Sequence, residues 1–191
     1  MRTVRPRHAA AWIVVAVLFS VLTGCGGAPA PEPLPKPSGS TSPSASASAT
    51  PSAPVMPAAA RAKTDRAVEA FARYFVDIIN FTAASGNREA IDNASLRTCE
   101  SCRSIAERAF DTYEAGGSIN GNGWSVTRIN VVPNQPRSRV YVELSIKQSP
   151  ETVIARPGEA PKQFPGGDHT FNMVLTLRET NWAVARLDLV A

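Results

Sequence analysis

The strongest constraint on this chain is a change in the period of its apolar residues. Between Asp65 and Ala84, Val68, Phe71, Phe75, Ile78 and Ile79 recur at helical spacing, with Tyr74 on the same side and Arg66, Arg73 and Asp77 flanking the stripe. Thr64 or Asp65 can cap the start of this helix, and Gly86 can stop it. A short second helix is expected over 88–93. A third opens at Thr98, carries Ile105, Ala106, Ala109, Phe110 and Tyr113 on its apolar face, and ends at Gly116-Gly117. Beyond that pair the period falls to two. Val140, Val142, Leu144 and Ile146 alternate with Tyr141, Glu143, Ser145 and Lys147, as Phe171, Met173, Leu175 and Leu177 do with Asn172, Val174 and Thr176. Trp124 and Val126 stand in one parity and Ile129 and Val131 in the other, which predicts a bulge near Thr127-Arg128. A shorter strand is expected over 152–155, and a turn at Glu179-Thr180-Asn181 leads into a last one over 182–190. Helices first and antiparallel strands after them define an α+β class, the helices packed on one face of a curved sheet.

Only part of the chain can build such a core. The first residues carry Arg2, Arg5 and Arg7 without an acid, and the run from Ala9 to Val21 is almost wholly apolar. That is the order of a secretory signal. A membrane-spanning helix needs about 20 apolar residues, and this run is shorter. Leu22-Thr23-Gly24-Cys25 resembles the bacterial lipobox. The resemblance implies a signal peptide over residues 1–24, removed by cleavage before Cys25, and a mature chain held by diacylglycerol and fatty acyl (palmitate-type) groups on that cysteine. Two or more acyl chains anchor stably where one does not. The alternative is an uncleaved signal anchor with an ordinary cysteine. Localisation on the extracytoplasmic face of a bacterial cell membrane is the expectation.

Residues 25–60 read as a tether. From Gly26 the chain is nearly all Ala, Pro, Ser, Gly and Thr, with no aromatic residue and only Glu32 and Lys36 charged. Such a composition buries too little apolar surface to offset ordering entropy and favours disorder with polyproline II bias. At about 3.1 Å per residue a fully extended tether would reach on the order of 100 Å. The same composition suits an O-glycosylated stalk or an unmodified spacer.

The globular domain is expected over 61–191, and its charge differs from that of the chain. Of 20 basic and 16 acidic residues, Arg2, Arg5, Arg7 and Lys36 and the single acid Glu32 precede residue 61, which leaves the domain near +1 against +4 overall. Basicity therefore gives no argument for nucleic acid.

The order of helix, short helix, helix and bent strands resembles the cone of the nuclear transport factor 2-like superfamily, which holds isomerases, dehydratases and inert binding domains. More narrowly, Asp65-Arg66-Ala67 leading to Phe71 and Tyr74-Phe75, then Cys99-Glu100-Ser101-Cys102, Gly116-Gly117 and Trp124, is similar to a family of uncharacterised actinobacterial lipoproteins of unknown function. The first resemblance implies a shape, and neither supplies catalytic residues.

With Cys25 assigned to lipid, Cys99 and Cys102 remain in an oxidising compartment and are expected to pair. A Cys-x-x-Cys at a helix start reads as a short-loop disulfide of modest stabilising effect, or as a redox dithiol whose leading thiol the helix N-terminus acidifies. Two thiolates make half a zinc site, and no second Cys/His pair completes it, so no metal or other cofactor is expected. His169 stands beside Asp168 after the Gly- and Pro-rich stretch 156–167, as a surface loop histidine or a general base oriented by an acid. In a cone the groups to inspect for a pocket are Tyr74, Asp77, Tyr141 and His169, with Trp182 at a possible mouth; Asp77 and Tyr141 lie on the polar sides of their patterns. Trp124, Trp182, Phe71 and Phe75 read first as core. The stretch 156–167 is long for a hairpin connection, hence functional or mobile. No nucleophile elbow, phosphate loop or His-rich metal motif occurs.

Three functions stay open. One is a non-catalytic envelope lipoprotein whose domain binds a partner protein, a cell-wall component or a small apolar ligand. The others are a pocket enzyme doing proton-transfer chemistry and a thiol-disulfide role for Cys99 and Cys102. The exposed face Tyr141, Glu143, Ser145, Lys147 is a surface on which dimers could form.

Overall fold

The computed structural model describes residues 51–136, 138–179 and 181–190. Residues 1–50 lie outside the described residues, and so do the readings of a signal peptide, a lipidated Cys25 and most of a tether that fall on them. No helix among the described residues is long and apolar enough to cross a membrane.

A 3-10 turn, Ala58–Arg61, precedes α1, Asp65–Ser85. Ala60 is buried and Met56 packs against the core, so ordered packing begins ahead of Arg61, where composition starts the domain. Helix α1 has the ends its sequence predicts: the Thr64 hydroxyl accepts from the Ala67 N–H, and Gly86 sits at φ 70°. Helix α2, Glu89–Ala94, is followed by α3, Glu100–Glu114, which starts two residues beyond Thr98 because Cys99 takes the N-cap position. The end of α3 is a Schellman turn. The Gly117 N–H reaches the Thr112 carbonyl at 2.8 Å and Gly116, at φ 76°, donates to Tyr113 at 3.0 Å.

Among the described residues seven strands follow: β1 Ser118–Gly121, β2 Trp124–Val131, β3 Arg139–Gln148, β4 Glu151–Ile154, β5 Lys162–Phe164, β6 Gly167–Arg178 and β7 Asn181–Leu189. All pair antiparallel, in the orders β2-β3-β6-β7 and β1-β4-β5. The two sheets are continuations of one another, since β1 runs into β2, β3 into β4 and β5 into β6 across breaks of two residues. Those breaks align at Asn122-Gly123, Ser149-Pro150 and Pro165-Gly166, where the ladder bends sharply. The bend requires close backbone approach: a Cβ on Gly166 would stand 2.3 Å from the Gln148 carbonyl oxygen, and one on Gly121 2.9 Å from that of Pro150. The expected bulge is present between Val126 and Arg128, and a second lies on β7 opposite Val174/Leu175.

Strands β1 and β5 are absent from the sequence reading. Both are short and lack alternation, and the neighbours β4 supplies hold them in place. The stretch 156–167 is thus not one long loop, because β5 and the start of β6 lie inside it.

The core lies between α1 and the inner sheet face. Phe71, Phe75, Ile78 and Ile79 meet Val140, Val142, Leu144 and Ile146 from β3 and Met173 and Leu175 from β6, all fully or almost fully buried. This is the α+β cone that the sequence implies, with helices in the hollow of a bent antiparallel sheet.

Candidate functional site: the mouth of the cone

Helix α1 runs the length of the cone, about 30 Å for its 21 residues. At its start the cone is closed. Trp182 is buried there and its indole N–H donates to the Ala62 carbonyl at 3.0 Å, which straps the incoming chain across the base.

At its far end the cone is held open by polar ties. Asn80 is paired with the backbone of Trp124 at both ends of its amide: the Trp124 N–H donates to Oδ1 at 2.7 Å and Nδ2 donates to the Trp124 carbonyl at 2.8 Å. This caps the exposed edge of β2 where the strand starts. The Tyr113 hydroxyl lies 3.1 Å and 2.9 Å from the carbonyls of Ala83 and Ala84, among the last of α1, and so joins the ends of α1 and α3.

Between these ties lies a groove of about 240 Å³. Ile79 and Ala83 of α1, Ile105 and Ala109 of α3, Ile119 of β1 and Trp124 of β2 form its apolar walls, and Ser104, Gln148, Arg108 and Glu151 its polar rim. Trp124 stacks on Phe171, with centroids 5.2 Å apart and planes 19° from parallel. Arg108 Nη2 is ion-paired with Glu151, whose side chain is 14 % exposed, and the guanidinium lies 5.1 Å from the centre of the Phe164 ring. Lys162 approaches the same ring at 4.8 Å. Glu151 and Phe164 are register partners on β4 and β5, so the expected strand β4 and the unexpected β5 together build the rim.

A larger depression of about 720 Å³ lies at the base, between α2 and the β6–β7 turn, and is mostly polar. It is lined by Asp92 and Glu179 against Arg97 and Arg178, so its charges balance. Its walls present little apolar surface for a ligand to cover, and the mouth groove is the better-formed site.

The residues singled out from sequence do not gather there. Tyr74 is half-buried on α1, 6.0 Å from Phe71 ring to ring, and burial pushes its hydroxyl pKa up. Asp77 is on the exposed face of α1, with partial burial raising its carboxyl above the usual range. Tyr141 is 41 % exposed on the outer sheet face, beside Arg139. His169 is the partner of Ile146 inside β6 and is half-buried, so it is a strand residue rather than a surface-loop one. Asp168, its neighbour in a strand, points to the opposite face and cannot orient the imidazole. Trp182 is buried at the base, where it edges the polar depression of about 720 Å³ and not the apolar groove. The groove is lined instead by Trp124, whose pattern places it in the core, and by Arg108 and Glu151, which no motif marks. Arg108 was legible as a lone cation on the α3 face that carries Ile105 and Ala109.

Cys99 and Cys102 form a disulfide, and both are fully buried. Among the described residues no group of three His, Cys, Asp or Glu side chains is placed to hold a metal.

Fold and groove thus define a cone-shaped α+β domain with a closed base and a narrow apolar mouth. The chain belongs to a family of unknown function, DUF6318, whose model matches residues 41–188. No curated protein matches. Among solved structures, the intermembrane space region of the chloroplast protein ARC6 is similar at 14% identity and TM-score 0.47, over 67% of this chain and 97% of that one. An uncharacterised protein with a cystatin-like fold from Caulobacter vibrioides matches at 10% identity and TM-score 0.43, over 65% and 88%. The Kfla4162 protein from Kribbella flavida matches at 14% identity and TM-score 0.44, over 68% and 91%.

Proposed function

We propose that this protein is an envelope lipoprotein, anchored through Cys25 on the extracytoplasmic face of the membrane, whose cone domain is a non-catalytic binding module for a small ligand at its mouth. The observation that carries the binding reading is the distribution of groups. The groove is open and apolar, while Tyr74, Asp77, Tyr141 and His169 are divided among the core, the exposed helix face, the outer sheet face and the inner one, and Glu151, the acid at the groove, is held in an ion pair with Arg108. Proton-transfer catalysis needs an acid or base within hydrogen-bond reach of the reacting atom, and these do not converge on one. The buried disulfide favours a structural role for Cys99 and Cys102 over redox exchange, since an attacking thiolate must reach a sulfur.

The anchor rests on the charged start, the short apolar run and the lipobox-like Leu22-Thr23-Gly24-Cys25. Mass spectrometry of the protein from its native membrane tests it: a mature chain starting at Cys25 and carrying a diacylglyceryl mass is expected, and an unmodified chain retaining residue 1 refutes it. Ligand binding is tested by titrating residues 25–191 with Cys25→Ser, which carries no lipid, with small apolar compounds while following Trp124 emission. A flat response across a chemically varied set would remove the groove as a binding site.

A further inference from the structure

From the rim of this groove we infer the class of ligand: a small apolar carboxylate, with its body against the groove walls and its head on Arg108. The inference deepens the binding reading above and rests on it. At about 240 Å³ the groove is below the roughly 300 Å³ at which sites for larger organic ligands begin, so the occupant is small. Its walls, from Ile105 and Ala109 to Trp124, offer apolar contact, and the body of the ligand must match them.

The head group follows from the rim. Two cations, Arg108 and Lys162, flank the Phe164 ring, and one acid, Glu151, answers them. Arg108 spends a single hydrogen bond, from Nη2, on Glu151. Its remaining donors make no hydrogen bond among the described residues, and its side chain is 49 % exposed at the opening. A guanidinium held beside a ring and by one carboxylate is restrained for a second, which its remaining donors can take in a two-point contact. Glu151 already occupies the place of such a carboxylate, so the site's own chemistry shows the group that Arg108 accepts. A cationic head would meet both Arg108 and Lys162 and is disfavoured.

The test uses residues 25–191 with Cys25→Ser, which carries no lipid, titrated separately with 4-phenylbutyrate, its primary amide and 4-phenylbutylamine, with Trp124 emission as readout. Trp182 is buried at the far end and supplies a constant background. The acid is expected to bind at least about tenfold tighter than the amide, the increment of a charge-assisted pair over a neutral one. Glu151→Gln, which releases Arg108, should tighten the acid several-fold and leave the amide unchanged. Lys162→Gln, at an exposed position, should weaken the acid a few-fold. Equal binding of acid and amide, or tighter binding of the amine, overturns the inference while leaving the groove as an apolar site. No response to any of the three overturns both. Arg108→Gln should abolish the preference for acid over amide; if that variant does not fold, the Glu151 and Lys162 variants decide the matter alone, with thermal melts showing that each is native.

Discussion

Single residues at the joints of the cone carry more of its stability than their types suggest. Asn80 supplies both a donor and an acceptor to the Trp124 backbone across 44 positions of sequence. Asn80→Ala is expected to lower the unfolding free energy by about 1–3 kcal/mol in urea titration, because it leaves a half-buried N–H and carbonyl without partners. Gly117 is more demanding. A Cβ there would stand 2.2 Å from the Ile154 carbonyl oxygen and 2.5 Å from that of Ala155, so Gly117→Ala should cost about 1–3 kcal/mol by forcing α3 and β4 apart. Asp77 acts through pH. Partial burial raises its pKa in the folded state, so the folded chain binds the proton more tightly than the unfolded one. The stability associated with the protonated form is fully present below the unfolded value of 3.8 and lost as pH rises through the folded one. Asp77→Asn should therefore show its gain in melting temperature at neutral pH and lose it on acidification to pH 3. A gain that persists unchanged at pH 3 would contradict this.

At the level of elements, helix ends and strand registers were legible to different degrees. Thr64, Gly86 and Gly116-Gly117 mark the ends of α1 and α3 where the structure has them, because capping is local chemistry that a few adjacent residues settle. The bulge after Val126 was legible for a similar reason: a shift of parity in one strand is visible without its partner. β1 and β5 were not, since residues such as Asn120 and Lys162 become strand only by pairing with β4. The disulfide shapes an element too. Cys99 and Cys102 close a short loop at the start of α3, beside the Leu96 N–H that donates to the Val184 carbonyl of β7 at 2.8 Å. The double substitution Cys99→Ser/Cys102→Ser should lower stability by about 2 kcal/mol, the loop-closure value for so small a ring. Hydrogen exchange at Leu96 should quicken in the same variant. Ligand binding at the mouth groove should be unaffected, because the disulfide does not line it.

For the molecule as a whole, the chain enters at the closed base and the groove opens at the other end of α1. The join at the base is the bond from the Trp182 indole to Ala62. Trp182→Phe removes that donor while keeping most of the apolar volume. It is expected to leave the groove intact but to release residues 56–62, read as faster proteolysis there and a loss of about 1 kcal/mol. Equal protease resistance in the two proteins would show that the strap is held by Ala60 and Met56 alone. By itself the sequence determined the α+β class, the lipobox-like start, the low-complexity composition of residues 26–60, the near-neutral charge of residues 61–191 and the pairing of the two cysteines there. Each of these depends on composition or on contacts between near neighbours. Only the tertiary structure decided where a ligand could sit. Arg108, Glu151, Phe164 and Trp124 come from α3, β4, β5 and β2, and the bend at Gly121, Pro150 and Gly166 turns those elements over the open end of the core. The same bend explains why His169 and Asp168, adjacent in sequence, form no pair: strand alternation sends neighbours to opposite faces, and long-range register, not proximity along the chain, selects which side chains meet.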